Sequence, residues 1–494
     1  MMETEDGNGT GRFLLKKIQT RRGCYVYDTW TNAILQVDGA VFQLLPDGFP
    51  QLEMMRSALL DERERNRVLK EIEEARRAGY LRTGFPRISN FPPEARTESV
   101  ERLLEKGPDH LILNITERCN LRCRYCSFSG AYEDNRTHSD EVMSEAVLER
   151  ALDWYLGHRR EDFSIGFYGG EPILDFSLMR KAVHHAMTRT TKPVTFRLTT
   201  NGTLLSRAAC RFLIDHDIRL VISVDGPQDV HDRYRVFSDG QGSFAAMWEG
   251  LERLRAMAPD YFHRRVAFNV VAASPVKLLR IQEFMDEHPE VFHDHLITTS
   301  RVNPYPSCLP STLADREGDG RFPEQKEVLY RMFRRKMLNG AVYPEDFPVS
   351  LFKSDFVDLH QRSMTPMPEV VASDGQCVPG DPKCFVATRG DLYMCERVGN
   401  TRPIGSVRTG FDTAAILKFL EEYDEFFREE CSRCWAVRLC SKCFVTVRNG
   451  GDFSRERLRD FCRSNLRRWS WVLEKYCEIR EEKADAFAWC RDAA

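Results

Sequence analysis

Three closely spaced cysteines are the residues of this chain best suited to chemistry. Cys119, Cys123 and Cys126 lie in the segment ERCNLRCRYCSFSG at residues 117–130, separated by three and then two residues. Thiolates are the usual protein ligands of iron–sulfur clusters. Three of them at this spacing can hold a [4Fe–4S] cube and leave its fourth iron open for a small molecule. The alternatives are part of a zinc site or simply buried thiols.

Polar motifs downstream extend this candidate site. They are Gly169, Gly170, Glu171 and Pro172 in SIGFYGGEP, Thr200 and Asn201 in TTNGT, Ser223 and Asp225 in SVDG, and Arg235 in HDRYRVFSDGQGSF. Glycines let a backbone approach a ligand where a side chain would clash, and a glutamate can accept a hydrogen bond from an ammonium group. The alternatives are a tight turn with a surface glutamate, and turn-forming roles for Asn201 and Asp225.

The elements that must position these motifs alternate between strand and helix from residue 111 onward. The strand-like runs are LILNIT, SIGFYGG, VTFRLTTNG, RLVISVDG, RVAFNVVAA and HLITTSRVNP, separated by helix-length segments. Strict alternation predicts a parallel sheet whose ligands lie beyond the carboxyl ends of the strands. Every motif above lies at such an end. Residues 111–304 are therefore predicted to form an α/β domain, a partial (β/α)6 TIM barrel open on one side.

The cysteine loop, with Tyr125 before its third cysteine and GGEP at residues 169–172, resembles the cluster loop of the radical SAM family. The resemblance implies that the open iron binds S-adenosyl-L-methionine, which one electron cleaves to a 5′-deoxyadenosyl radical that removes hydrogen from a substrate. It places Glu171 near the cofactor ammonium and Arg235 near its carboxylate. The cofactor-binding residues it implies are Tyr125, Gly169, Gly170, Glu171, Pro172, Thr200, Asn201, Ser223, Asp225 and Arg235.

Ten more cysteines follow residue 376, and eight of them form a pattern that resembles the SPASM domain, with Gly390 ahead of Cys395. This resemblance implies two auxiliary [4Fe–4S] clusters, and so three clusters in all. The implied ligands are Cys377, Cys384, Cys395 and Cys443 for the nearer cluster, and Cys431, Cys434, Cys440 and Cys462 for the farther one. Two structural zinc ions are the alternative, because C-x-x-C pairs favour zinc.

The sequence departs from the SPASM pattern at two of these cysteines. Two residues lie between Cys440 and Cys443 where the family usually has three, which weakens the assignment of Cys443. Cys384 is not a universal member of the pattern. Because Cys384 lies between two other ligands of the pattern, we expect it to be a ligand. The nearer cluster then has no open iron and serves in electron transfer rather than in holding substrate sulfur, whereas a free buried thiol is the alternative.

The remaining segments frame the barrel. Residues 1–85 contain a hairpin pattern and helices and resemble the PqqD-like recognition element, a winged-helix module that binds a leader peptide as an added strand. A structural cap on the barrel fits the same pattern. Residues 86–110 read as a proline-containing linker, 305–376 as a bridging region, 377–465 as the SPASM domain and 466–494 as a C-terminal helix packed on the body.

Composition narrows the class of protein. The 494 residues carry a net charge of −3 with acids and bases interspersed, which disfavours nucleic acid as a partner. The chain shows no bilayer-length apolar run and no export signal, so we expect a cytoplasmic protein that does not bind membranes. Sixteen cysteines then point to metal rather than disulfides.

The combined resemblance predicts a radical SAM peptide maturase. It would bind the leader of a ribosomally synthesised precursor peptide, take electrons from a flavodoxin- or ferredoxin-type donor, and form a cross-link, most simply a thioether from cysteine sulfur to carbon. The enzyme alternative is anaerobic sulfatase maturation, which makes formylglycine. Relatives of that type place an aspartate directly after the cysteine equivalent to Cys395, where this chain has Glu396, a candidate catalytic base. A non-catalytic peptide-binding or electron-transfer protein is a third possibility.

Overall fold

A computed structural model gives the architecture. It describes residues 13–45, 61–89, 91, 95–130, 132, 135–272, 278–301, 322–340, 342–343, 346–371 and 377–491. Parts of the predicted N-terminal module, linker and bridging region therefore lie outside the described residues. No helix in these ranges has both the length and the apolar character needed to cross a bilayer.

The N-terminal module is a small antiparallel sheet with two helices. Its elements are β1 (Leu15–Gln19), β2 (Cys24–Asp28), β3 (Ala33–Val37), α1 (Gly39–Leu44) and α2 (Glu62–Arg77). The predicted hairpin is confirmed as β2 and β3, whose turn holds Asn32 at a φ of 59°. Val68 and Ile72 of α2 are buried, and Gly79 at a φ of 95° ends this helix as predicted.

This module packs on the C-terminal part of the chain. Tyr25 donates a hydrogen bond of 2.8 Å to Glu481, and Thr29 donates one of 2.7 Å to the carbonyl of Trp435. The ring of Trp435 meets Tyr27 edge-on at 6.2 Å between centroids. The module therefore contacts both the cysteine-rich region and the C-terminal helix.

The central unit alternates strands and helices. Its elements are β4 (Arg87–Ile88), α3 (Arg96–Lys106), β5 (His110–Thr116), α4 (Glu145–Leu156), β6 (Phe163–Gly169), α5 (Phe176–Arg189), β7 (Val194–Thr200), α6 (Arg207–Asp215), β8 (Arg219–Ser223), α7 (Gln228–Tyr234), α8 (Phe244–Met257), α9 (Pro259–Arg265), β9 (Val266–Ala272), α10 (Leu278–Glu287), α11 (Pro289–Phe292) and β10 (Ile297–Arg301). Strands β5 to β10 are parallel and adjacent in chain order, which confirms the six predicted barrel strands.

Helices cover this sheet with apolar faces. In α5, for example, Leu178, Met179, Ala182, Val183 and Ala186 are all buried at helical spacing. Strands that are covered in this way read as nearly continuous apolar runs, and β5 has all but its first residue buried.

The C-terminal third adds helices and short strands. Its elements are α12 (Phe322–Asn339), α13 (Phe347–Gln361), β11 (Val370–Val371), β12 (Lys383–Val386), β13 (Asp391–Tyr393), β14 (Gly405–Ser406), β15 (Gly410–Phe411), α14 (Thr413–Ser432), α15 (Phe444–Val447), β16 (Arg448–Asn449), β17 (Asp452–Phe453) and α16 (Arg455–Glu482). The predicted boundary at residue 465 falls inside α16, whose Trp469, Leu473 and Tyr476 pack into the body as expected.

One connection was not foreseen. β12 pairs in parallel with β5, so β12 to β15 extend the barrel sheet to ten strands in the order β10-β9-β8-β7-β6-β5-β12-β13-β14-β15. The start of the cysteine-rich region is thus continuous with the barrel rather than a separate layer.

Candidate cluster and cofactor site

The three-cysteine loop leaves the carboxyl end of β5 and is fixed by backbone hydrogen bonds. Arg122 N donates to the carbonyl of Val236 at 2.7 Å, and Arg124 N donates to that of Tyr234 at 2.9 Å. Two amides point at sulfur, since Leu121 N lies 3.4 Å from Cys119 Sγ and Phe128 N lies 3.4 Å from Cys126 Sγ. Amide donors of this kind stabilise thiolates.

The three thiols fit an iron–sulfur cluster. They line one cavity of about 1260 Å³. Burial raises the pKa values of Cys119 and Cys123 to about 12, so a cationic ligand is needed to displace their protons. Within the described ranges, no three Cys, His, Asp or Glu side chains converge on a point where one metal ion would bind. A tetrahedral zinc ion draws its sulfurs to within about 4 Å of each other, whereas a cube holds them farther apart.

Gly169 and Gly170 join β6 to the cysteine loop. A Cβ on Gly169 would lie 2.1 Å from the carbonyl oxygen of Thr116, and one on Gly170 would lie 2.1 Å from that of Arg118. Gly170 N donates to Thr116 O at 2.8 Å, and Glu171 N donates to Arg118 O at 2.8 Å. The glycines therefore allow close approach of two backbone segments, a reason different from the cofactor contact expected from the sequence.

Glu171 is fully enclosed and ties β6 to β7. Its carboxylate accepts hydrogen bonds from Thr200 Oγ1 at 2.9 Å, from Asn201 N at 2.8 Å and from Ile173 N at 3.2 Å. Burial raises its pKa to about 7, against these hydrogen bonds and Arg235, which lower it. Pro172 begins the short 3₁₀ turn that follows Glu171 and is itself buried.

Asn201 links β7 back to the cysteine loop. Its side-chain amide donates to Asn120 Oδ1 at 2.9 Å, and Asn120 in turn donates to Thr203 at 2.8 Å. The loop is thus held by the ends of both β6 and β7. Thr200, Asn201 and Glu171 all line the cavity that holds the three thiols.

Asp225 organises the other side of the loop. It accepts hydrogen bonds from Val271 N and from Arg235 Nε, each at 2.9 Å, and also from the Tyr125 hydroxyl. The Arg235 guanidinium lies 5.5 Å from the Tyr125 ring centroid. Asp225 therefore positions two predicted site residues, Tyr125 and Arg235, while Ser223 at the end of the same strand lines the cavity directly.

The cavity extends well beyond the predicted residues. Asn269 and Ser300 line it from β9 and β10 and hydrogen-bond to each other at 2.8 Å. The far wall comes from α13 and α16, where Arg468 pairs with Asp355 at 2.6 Å from its Nε. Residues of α13 were missed because the bridging region carries no motif, and only its helical apolar spacing signals that it packs on the barrel.

The farther set of cysteines forms one group. Cys434 lies within electrostatic reach of Cys431, Cys440 and Cys462. Asn465 donates to Cys440 Sγ at 3.2 Å, and Lys442 hydrogen-bonds to Cys431. The arrangement fits a four-thiolate cluster.

The nearer set brings three of its four members together. Cys443 lies within electrostatic reach of both Cys377 and Cys395. Cys384 is different. It lies in β12 between Lys383, which faces the cavity, and Phe385, so alternation along the strand turns its fully buried thiol to the opposite face. Burial raises the pKa of the Cys384 thiol and a hydrogen bond with the Tyr393 backbone lowers it. No other described cysteine contributes to this shift.

Glu396 lies in the cavity beside Cys395 and is paired. Lys383 Nζ contacts its two carboxylate oxygens at 3.1 and 2.9 Å. Burial alone would lower the pKa of Lys383, but Glu396 and the nearby Cys395 and Cys377 raise it above its usual value. The carboxylate is thus held by a cation at the edge between the barrel and the cysteine-rich region.

Comparison with known proteins identifies the class. Residues 113–272 match the sequence model of the Radical SAM superfamily. This segment is a radical SAM domain.

Individual proteins are similar to parts or most of this chain. An uncharacterized protein of Methanocaldococcus jannaschii is 32% identical over 151 residues, 30% of this chain and 50% of its own length. The chain therefore spans about half of the length of that relative. A cysteine-type anaerobic sulfatase-maturating enzyme of Clostridium perfringens is 22% identical over 379 residues, 72% of this chain and 93% of its own. The solved structure of native anSMEcpe with bound AdoMet and Cp18Cys peptide superposes with a TM-score of 0.54, at 18% identity over 78% of this chain and 100% of that one.

Proposed function

We propose that this protein is a radical SAM maturase that modifies a cysteine-containing peptide, joining the cysteine sulfur to a carbon. The observation that carries the proposal is the cavity, which runs from Cys119, Cys123 and Cys126 to Glu396 and α13. Its volume of about 1260 Å³ exceeds the roughly 300–1,000 Å³ of ordinary small-molecule sites, which leaves room for a peptide beside a nucleotide.

Each part of this cavity has a proposed role. The cluster bound by Cys119, Cys123 and Cys126 would supply the electron that cleaves S-adenosylmethionine and so begins hydrogen abstraction. Tyr125, Gly169, Gly170, Thr200, Asn201, Ser223 and Arg235 would hold the nucleotide or the loop around it. Glu171 and Asp225, whose carboxylates accept hydrogen bonds within the protein, and the buried Pro172 would position those contacts.

The nearer auxiliary site favours thioether formation. With Cys384 on the other face of β12, we assign this site to the thiols of Cys377, Cys395 and Cys443, and one iron would then be free to bind a substrate thiolate. The farther site, with Cys431, Cys434, Cys440 and Cys462, would be closed and suited to carry electrons to or from an external donor of the flavodoxin or ferredoxin type.

Formylglycine formation is the second candidate. Two observations favour it: the likeness to the sulfatase-maturating enzyme of C. perfringens over most of both chains, and a carboxylate, Glu396, directly after Cys395 and inside the cavity. Glu396 would remove a proton from the substrate thiol in that reaction. Its pairing with Lys383 means that proton transfer must compete with the ion pair.

One experiment separates the two reactions. The anaerobically reconstituted protein is given S-adenosylmethionine, dithionite and cysteine-containing peptides encoded beside its gene or drawn from sulfatases. Thioether formation removes two hydrogens, keeps the sulfur and makes the cysteine unreactive to alkylation. Formylglycine formation expels the sulfur and leaves an aldehyde that reacts with hydrazines. Cofactor cleavage with no change in any peptide would contradict both.

A further inference from the structure

A buried arginine beside the cluster loop makes no hydrogen bond or ion pair among the residues that the structure describes. Arg136 is 6% exposed, and its Nε, Nη1 and Nη2 are all buried without a hydrogen-bond partner among the described residues. Three aromatic rings surround it, with centroids 4.2 Å (Phe128), 4.5 Å (Phe385) and 5.8 Å (Tyr168) from the guanidinium carbon.

Such a group opposes folding. Ring faces offset part of the loss of solvation of a cation, but buried charges are normally paired or hydrogen-bonded. Burial in fact lowers the pKa of Arg136. A buried polar group left without a partner requires a reason, and an anion that binds at the site is one.

The surroundings show which anion that is. Cys126, Glu117 and Glu396 lie within electrostatic reach of Arg136. The Glu396 carboxylate is already paired with Lys383. The Glu117 carboxylate accepts an exposed hydrogen bond of 2.6 Å from Ser139, where solvent screens its charge. Because the Arg136 nitrogens have essentially no accessible surface, a substrate group in the cavity cannot reach them. The remaining negative charge that Arg136 can stabilise is that of the thiolates of the cluster loop.

We propose that Arg136 is a positioning residue for the cluster held by Cys119, Cys123 and Cys126, and that its unpaired charge raises the reduction potential of that cluster. A [4Fe–4S] core with three thiolates is negative, and accepting one electron from an external reductant such as dithionite adds a further negative charge. A fixed cation in a low-dielectric site stabilises the reduced form more than the oxidised one. The inference rests on the cluster assignment of the proposed function.

The test is a redox titration of the reconstituted holoenzyme, followed by electron paramagnetic resonance of the reduced cluster. Arg136→Met removes the charge but keeps the apolar stem between the rings, and Arg136→Lys keeps the charge. Arg124→Met is the matched control, since Arg124 lies in the same loop but is exposed, where solvent screens its charge.

At the wild-type midpoint, we expect the ratio of reduced to oxidised cluster to fall about tenfold in Arg136→Met, equal to a shift of about 59 mV to more negative potential. Arg136→Lys and Arg124→Met should stay near wild type. The thermal midpoint of Arg136→Met should hold or rise, because an unpaired buried charge is removed.

Two results would overturn the inference. One is an unchanged potential in Arg136→Met with full iron content. The other is a fall in its thermal midpoint with loss of iron, which would assign Arg136 to the fold. In both cases the proposed function is unaffected as long as the wild type still cleaves S-adenosylmethionine. A wild type that binds no cluster at this loop would instead contradict the proposed function itself.

Discussion

At the scale of single residues, the site is built from polar groups that hold one another. Glu171 joins β6 to β7, Asn201 joins β7 to the cysteine loop, and Asp225 joins β8, β9, Tyr125 and Arg235. Sequence patterns located these residues correctly at strand ends. They could not show which of them face the cavity and which act through a neighbour, because that depends on hydrogen bonds between segments distant in the chain.

Glu171 should make the stability of the metal-free protein depend on pH. Its folded pKa of about 7 lies above the ordinary 4.5, so the folded state binds the extra proton. Stability from this group is full below pH 4.5 and is lost as the pH rises through 7, by on the order of 3 kcal/mol.

In Glu171→Gln the side chain stays neutral at every pH, so its stability does not fall as the pH rises. The substitution does leave the Asn201 backbone amide without an acceptor, at a cost of about 1–3 kcal/mol. The free energy of unfolding, measured with denaturant, should therefore be larger for the wild type than for Glu171→Gln at pH 5. The difference between the two proteins should be smaller at pH 8. Parallel pH curves for the two proteins would refute this role of Glu171.

Gly170→Ala tests the contact between β6 and the cysteine loop. The new Cβ would meet the Arg118 carbonyl at 2.1 Å, so the loop must shift. We expect circular dichroism to be nearly unchanged and iron at the first cluster to drop. Gly39→Ala, where a Cβ has no neighbour within 4 Å, is the control and should bind iron as wild type does. Equal iron content in both variants would show that this contact does not set the loop.

At the scale of elements, the six barrel strands could be predicted from the sequence, whereas their extension to a ten-stranded sheet could not. Apolar runs such as LILNIT are long and continuous, and they match β5 to β10 within three residues at each end. β12 has only four residues, and it pairs with β5, which lies more than 250 residues earlier in the chain. No local sequence pattern predicts such a pairing. This pairing determines on which face of β12 the Cys384 thiol lies. The spacing of the cysteines alone could not predict that.

Cys384→Ala follows from that strand register. The substitution removes a small buried side chain, so stability should fall by about 1 kcal/mol or slightly more, while iron content and cluster spectra remain those of wild type. Cys395→Ala, which removes a thiol within electrostatic reach of the cavity-lining Lys383, should lose the nearer cluster. Mössbauer iron counting compares the two. Loss of a whole cluster from Cys384→Ala would restore the four-thiol assignment.

At the scale of the whole molecule, one cavity connects the radical SAM domain with the cysteine-rich region. Its outer wall, α13, includes Ser350, Ser354 and Asp358, and these line the space that we assign to the peptide. Net charge and composition disfavour nucleic acid as a partner, but only the assembled cavity gives the size of the substrate that can enter.

Ser354→Trp should narrow this outer space without touching the cysteine loop. Peptide modification should fall on the order of tenfold or more, since small misplacement of a substrate is costly. Cleavage of S-adenosylmethionine without peptide should be unchanged, and it serves as the internal control. Chromatography and mass spectrometry measure both products, and equal losses of the two would contradict the assignment of the wall.

The central claim is that Cys119, Cys123 and Cys126 hold the cluster that cleaves S-adenosylmethionine. The most direct measurement is the yield of 5′-deoxyadenosine from anaerobically reconstituted protein under dithionite, compared with the variant in which these three cysteines are alanine. The account predicts product from the wild type and none from the variant, whose cysteine-rich region should keep its iron. No product from fully loaded wild type, or equal product from both proteins, would contradict it.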